Sequence, residues 1–203
     1  MTVHFATPKQ IDDSALAQIF TEARTHNGFS DRPVSDDLLR EAVDIAKIGP
    51  TSANMSPLRV VFVKSAAAKE RLKPSLAPGN LAKTLAAPVT AITAYDVKFY
   101  DHLPFLMPHV DAKAWFADLP AEVKREIAHK NGTLQVAYLL IALRAVGLDT
   151  GPMTGFDNAK VDAEFFPEGH VKSNVLINIG YGDAEKLFPR SPRFSFDQIA
   201  KII

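Results

Sequence analysis

Residues 121–146 carry the longest helical pattern in this chain, and its second half is apolar on almost every face. From Leu134 to Val146 the run is broken by Gln135 and Arg144. A helix that is greasy all round needs cover all round. The pattern therefore predicts a central helix buried on all sides and stopped at Gly147. The run is shorter than the ~18 consecutive apolar residues that would span a bilayer, so it reads as core and not as membrane. At 203 residues, the chain is long enough to close one substantial domain around such a helix. No internal repeat, low-complexity tract or linker divides residues 1–203.

The elements around that helix alternate in type. Ile11–Ala23 has helical spacing at Leu16, Ile19, Phe20 and Ala23, with Asp12, Asp13 or Ser14 as its cap. A second helix starts at Ser35 and ends where Gly49-Pro50 stops it. Arg59–Lys64, Pro88–Ala94 and Val175–Ile179 read as buried strands, and Leu148–Met153 as a short extended segment. Shorter helices are expected over Ala66–Lys73, Asn80–Ala86 and Asp157–Phe165. Residues 96–120 interleave prolines with Phe99, Tyr100, Phe105, Trp115 and Phe116, and read as an aromatic excursion from the core. The tail, Ser195–Ile203, again has helical spacing.

Composition removes several classes of function. Lys plus Arg and Asp plus Glu both number 23, so there is no basic surplus to meet a nucleic acid. The absence of cysteine excludes disulfides, thiolate nucleophiles, zinc–thiolate sites and iron–sulfur clusters. Residues 1–10 lack the apolar core of a signal peptide, and the expectation is a soluble, cytoplasmic protein with no membrane partner. Gly180-Tyr181-Gly182 lacks the third glycine of a dinucleotide fingerprint. Asp101, His102, His109 and Asp111 match no metal-ligand spacing, so no metal site is expected.

Several segments carry more specific chemistry. Arg24-Thr25-His26 closes the first helix. It reads either as a cation set against C-terminal carbonyls or as a fork and short donors for phosphate oxygens. The loop Gly49–Pro57 (GPTSANMSP) is uncharged and rich in hydroxyls and amides. It suits the polar edge of a flat neutral ring, and equally an ordinary turn whose Ser and Asn satisfy their own backbone. Asn80 and Lys83 lie one helical turn apart, and Asn80 is also a candidate N-cap. In Gly151–Asp157 (GPMTGFD), two glycines permit close backbone approach, and Pro152 and Met153 offer apolar surface.

Taken in order, these segments resemble the nitroreductase family from Ala23 to Arg193. Arg24, Thr25 and His26 stand at that family's R-[R/H]-S signature, with Gly28 where Lys or Arg is usual. Pro50, Thr51, Ser52 and Asn54 fall on its P-S-S-x-N-x-Q-P loop, with Ser56 for Gln and Leu58 for Trp. Asn80 and Lys83 fall on a flavin-contacting Asn and a later Lys. Pro152, Met153, Thr154 and Gly155 fall on P-x-x-G-F, and Arg190 and Arg193 on a late basic pair that grips phosphate. The resemblance implies an α+β sandwich with a central mixed sheet wrapped by helices. It implies a homodimer with FMN at the interface, held by these residues, and NADPH or NADH as co-substrate. The segments ARTHNG, GPTSAN and GLDTGPM most resemble the malonic semialdehyde reductase branch, associated with pyrimidine breakdown. A broad nitroarene or quinone reductase, or a flavin-binding protein without turnover, would carry the same motifs. No residue is singled out as catalytic.

Overall fold

The computed structural model describes residues 9–203, so the reading of residues 1–8 lies outside the described residues. The core is a four-stranded sheet: β1 (Leu58–Val63), β2 (Val89–Asp96), β3 (Asp149–Met153) and β4 (Val171–Gly180), in the order β1-β2-β4-β3. Every pairing in it is antiparallel, where a mixed sheet was expected. The parallel contact is a single bridge, Thr25 to Thr150, outside the named pairings.

β2 is buried along nearly its whole length, which explains its unbroken small and β-branched sequence VTAITA. The observed β4 is longer than its apolar centre, because Lys172 and Ser173 continue the pairing opposite Tyr95 and Ala94. The register slips between Ile92 and Ala94, where the Thr93 hydroxyl donates to the Val175 carbonyl at 2.8 Å. β1 is an edge strand and only half-buried except at Val63, which corrects the expectation of a buried strand.

Nine helices among the described residues surround the sheet. The first predicted helix is instead a short α1 (Asp13–Leu16) running into a π turn at Ala17–Thr21. Asp12 is its cap, accepting from the Ala15 N–H at 2.8 Å. α2 (Asp36–Ala46) is capped by Ser35 and packs on the long helix. α3 (Ala66–Leu72) is followed by α4 (Pro78–Ala86), whose N-cap is Ala77, so Asn80 lies within the first turn. The excursion forms a 3₁₀ turn at Phe99–His102, then α5 (Leu103–Leu106) and α6 (Ala114–Ala117). It is not structureless: Phe99, Leu103, Ala112 and Phe116 close a small core with Met55 and Ala128. The Phe99 and Phe116 rings meet edge-on at 5.0 Å.

α7 (Ala121–Ala145) is the long central helix. Its sheet-facing side buries Val136, Leu139, Ala142 and Leu143 in the main core. Gly132 lets it lie close to β2, since a Cβ there would stand 2.8 Å from Tyr95 Cβ. The opposite face is not covered within one chain: Leu134 is 44% exposed and Tyr138 37%. Burial on all sides is therefore corrected to burial on one. α8 (Asn158–Phe165) is capped by Asp157, and α9 (Phe196–Ile199) is a short turn on an exposed tail, not a helix through Ile203. Among the described residues no helix is long and apolar enough to cross a membrane.

Candidate functional site

The site begins where the first helical segment meets the C-terminal tail. Arg24 donates to the Phe188 carbonyl, and Arg190 donates back to the Thr21 carbonyl at 2.9 Å. These crossed bonds lace residues 21–24 to residues 188–190 and leave a cleft of about 430 Å³ between them. Arg24, Arg144, Arg190 and Arg193 line it, together with Thr25 and Ser191, and no carboxylate does. Arg193 bonds the carbonyls of its own Ser191 and Pro192 at 3.0 Å. Burial lowers the pKa of the Arg144 guanidinium, and the charge of Asp149 works the other way.

Next to the cleft, residues 25–26 run along β3. Thr25 bridges Thr150, and the His26 N–H donates to the Thr150 carbonyl at 3.0 Å. Gly151 is needed for this approach: a Cβ there would stand 2.4 Å from the His26 carbonyl oxygen. The His26 ring turns inward. It is 7% exposed, lies 3.3 Å from Asp149, and fills the space over Gly182. Its side chain is thus packed in the fold and does not face the cleft, whereas Thr25 does. The glycines at 180 and 182 serve packing too: a Cβ on Gly180 would meet Pro88 and Phe29. Over Gly28 lies the Lys186 side chain, occupying the space a larger residue would take.

α4 supplies the third part. Asn80 Nδ2 donates to the Gly155 carbonyl at 2.9 Å, and Gly155 has no room for a Cβ because that amide stands 2.5 Å away. Lys83 reaches Asn27 at 3.3 Å, and Thr84 donates to the Met153 sulfur at 3.6 Å. Asn80, Lys83, Met153 and Gly155 are therefore drawn together beside residues 25–27. Pro152 is half-buried on β3, and Thr154 is exposed.

The Pro50–Asn54 loop stands apart. Among the described residues, no hydrogen bond joins it to the arginine cleft or to residues 150–155. Ala53, Asn54 and Ser56 all have positive φ, at 49°, 50° and 41°, in a region that L residues with side chains avoid. Buried amides hold that shape. Asn131 Oδ1 accepts from the Ser52 N–H at 2.9 Å, and Gln135 Oε1 from the Leu58 N–H at 2.9 Å. Thr51 Oγ1 accepts from the Ser56 N–H at 3.1 Å, and Asn54 Nδ2 donates to the Leu106 carbonyl at 2.7 Å. Pro50 flanks an apolar groove that also holds Ile19, Ile45, Ile48 and Tyr138.

A buried carboxylate anchors the far end of the loop. Asp96 bonds Arg59 at 2.7 Å, His170 at 2.9 Å and the Lys98 N–H at 2.8 Å, with His102 at 3.5 Å. Arg59 in turn donates to the Ser56 and Leu58 carbonyls at 3.2 and 2.9 Å. Burial pushes the Asp96 carboxyl up, but the Lys98 N–H, His170 and Arg59 outweigh it and hold the pKa below the usual value.

Asn131, Gln135, Arg144 and Asp96 are absent from the sequence-derived site. The signal for three of them was present: polar residues on a helix otherwise built to be buried, with Asn131 and Gln135 one turn apart.

The nitroreductase family model matches residues 8–181. The chain belongs to the nitroreductase family. A Burkholderia lata protein provisionally named NADH dehydrogenase/NAD(P)H nitroreductase is 59% identical over 192 residues, covering 95% of this chain and 98% of its own. A Xanthomonas oryzae protein of the same description is 58% identical over 191 residues, covering 94% of this chain and 97% of its own. Among solved structures, a nitroreductase-type protein from Exiguobacterium sibiricum in complex with FMN superposes with a TM-score of 0.83 at 21% identity, covering 98% of this chain and 100% of that one. The nitroreductase-type protein ydfN of Bacillus subtilis has a TM-score of 0.83 at 19% identity, covering 94% and 99%. The shared α+β fold is thus that of nitroreductases.

Proposed function

We propose that this chain binds FMN and catalyses NADH- or NADPH-dependent reduction of a small oxidised acceptor, with malonic semialdehyde as that acceptor. The observation that carries the reading is the arginine cleft, lined by four arginines without a carboxylate among the lining residues. Like charges gathered without a counter-charge suit a dianionic phosphate. Beside the cleft, Gly151 and Gly155 let residues 25–26 and Asn80 pack closely against the 150–155 segment, which gathers the candidate ring-bordering residues in one place. FMN, when bound, supplies the two-electron redox chemistry. Arg24, Arg190 and Arg193 would hold its phosphate, with Thr25 adding a short donor. Asn80, Lys83, Pro152, Met153, Thr154 and Gly155 would border the ring. Aldehyde reduction also needs a proton at the carbonyl oxygen. With His102 engaged by Asp96 and His109 exposed, this reading assigns that proton to solvent.

Among the described residues the Pro50–Asn54 loop, with Thr51 and Ser52, makes no hydrogen bond to any of these residues, and this supports a homodimer in which the loop completes the partner's site. The exposed apolar surface of Leu134, Tyr138, Ile45 and Ile48 supports the same reading. A light-scattering mass of one 22.2 kDa chain for the FMN-loaded protein would overturn it.

The names of the relatives favour a second reading, reduction of nitroarenes. Both are tested together. The purified protein is expected to be yellow and to release about one FMN per chain on heating. Steady-state NADPH oxidation is then compared with malonic semialdehyde and with a nitroarene as kcat/KM. A colourless protein that does not take up added FMN would end the cofactor reading. A clear preference for the nitroarene would replace the aldehyde.

A further inference from the structure

Arg144 is the one arginine of the cleft that sits on the long central helix. Among the described residues its guanidinium makes one hydrogen bond, from Nη1 to the Ile19 carbonyl at 3.1 Å. Its Nε is buried and has no partner, and no carboxylate lies within ion-pair distance of it among the described residues. Other arginines of this chain do find acids: Arg59 pairs with Asp96, Arg71 with Glu164 and Arg125 with Glu122. A half-buried cation left with one carbonyl and an orphaned N–H is costly unless an anion completes it. The other two orphaned buried side-chain atoms among the described residues, His26 Nδ1 and Thr150 Oγ1, belong to the junction bordering the same cleft.

We infer that Arg144 is an anion-binding residue of the cleft, a fixed guanidinium that meets the phosphate end of the cofactor alongside Arg24. The inference rests on the FMN reading above. Arg190 and Arg193 lie on an exposed tail, so ordering them costs side-chain entropy on binding. Arg144 is already set by a 25-residue helix and by the Ile19 carbonyl. A rival role exists: a cation in the last turn of a helix is favoured by the C-terminal carbonyls, and the Ile19 bond steadies the π turn. That role is blind to whether a ligand carries phosphate.

The apo-protein is therefore titrated with FMN and with riboflavin, which lacks the phosphate. Arg144→Gln keeps a donor for the Ile19 carbonyl and removes the charge. FMN affinity is expected to fall at least tenfold with riboflavin affinity unchanged, so the preference for FMN shrinks by the same factor. Equal losses for the two ligands, or no loss for either, would overturn the inference while the cofactor reading stands. Failure of the wild-type protein to bind either flavin would overturn both. Should Arg144→Gln not fold, Arg144→Lys carries the test. It keeps the charge but loses the planar fork, and a smaller, FMN-selective loss that deepens with salt is expected. Lysine binding FMN and riboflavin as arginine does at every salt concentration would refute the role.

Discussion

Replacing Asn131 with leucine tests whether the central helix holds the Pro50–Asn54 loop in its unfavourable shape. Asn131 is 6% exposed, accepts from the Ser52 N–H at 2.9 Å and donates to the Ile127 carbonyl at 3.0 Å. Leucine matches its volume closely and removes both bonds. The loop and the two residues after it contain three side-chain-bearing residues at positive φ, Ala53, Asn54 and Ser56. At about 1 kcal/mol each, they store roughly 3 kcal/mol. The bonds from Asn131, Gln135, Thr51 and Asn54 each contribute about 1 kcal/mol, roughly 4 kcal/mol together. The margin is thus about one hydrogen bond. Asn131→Leu also leaves the Ser52 N–H short of a partner, a cost of about 1–3 kcal/mol. For a chain of this length that lowers the melting temperature by about 3–9 °C. The freed loop should lower FMN affinity by about tenfold, the equivalent of ~1.4 kcal/mol. Thermal melts of the apo-protein and fluorescence titrations with FMN measure the two effects separately. Asn131→Asp, whose carboxylate oxygen still accepts from Ser52, should recover much of the affinity. An Asn131→Leu protein with wild-type melting and wild-type FMN affinity would refute the argument.

Gly151→Ala should lower the melting temperature by several degrees, because its Cβ would stand 2.4 Å from a backbone oxygen of His26 and overpacking costs about 1–3 kcal/mol; an unchanged melt would show that residues 25–26 can move away from β3. Arg193→Ala should weaken FMN binding about tenfold or more through loss of a charge-assisted contact, while Asp183→Ala leaves it almost unchanged; equal flavin titrations for wild type and Arg193→Ala would remove Arg193 from the phosphate site. Asp96 has a folded pKa below its unfolded value, so its contribution to stability is complete above about pH 5 and is lost as pH falls through about 4 and below. Asp96→Asn should therefore flatten the acid limb of a denaturant-midpoint profile, and identical profiles for the two proteins would contradict the ion-pair account.

Local chemistry was the most legible part of the fold. Ser35 and Asp157 cap the helices where the pattern places starts, and Gly147, at φ 81°, stops α7 where a glycine is needed. Apolar runs found the centres of β2 and β4. They missed the end of β4 because Lys172, Ser173 and Asn174 belong to a sheet end, where polar side chains reach solvent or Asp162 and Thr133. The first helix is shorter than its apolar spacing predicts for a related reason. Spacing alone cannot show that the turn after Leu16 widens to a π turn, with the Glu22 N–H bonding back to the Ala17 carbonyl. Motif letters placed Arg24, Thr25, Arg190 and Arg193 around one cleft, and Asn80 against Gly155. They could not separate His26 from its neighbours, since only packing against Gly182 and Asp149 turns that ring inward.

The central helix shows why a correct pattern yielded a wrong burial. An all-round apolar helix does require cover on every side, but a sequence does not say which molecule provides it. Within one chain, β2, β4 and α2 cover one side of α7, and the other, with Leu134 and Tyr138, meets water. Gly49 lies under that same Tyr138, since a Cβ there would be 2.5 Å from the ring. The uncovered face is thus continuous with the start of the Pro50–Asn54 loop. On the flank of the helix next to Tyr138, Asn131 and Gln135 accept from the Ser52 and Leu58 N–H groups, and at its C-terminus Arg144 lines the arginine cleft. One helix therefore organises the core, the strained loop, the arginine-lined cleft and an exposed apolar face. The residues that looked like blemishes in its apolar pattern are those through which it does so.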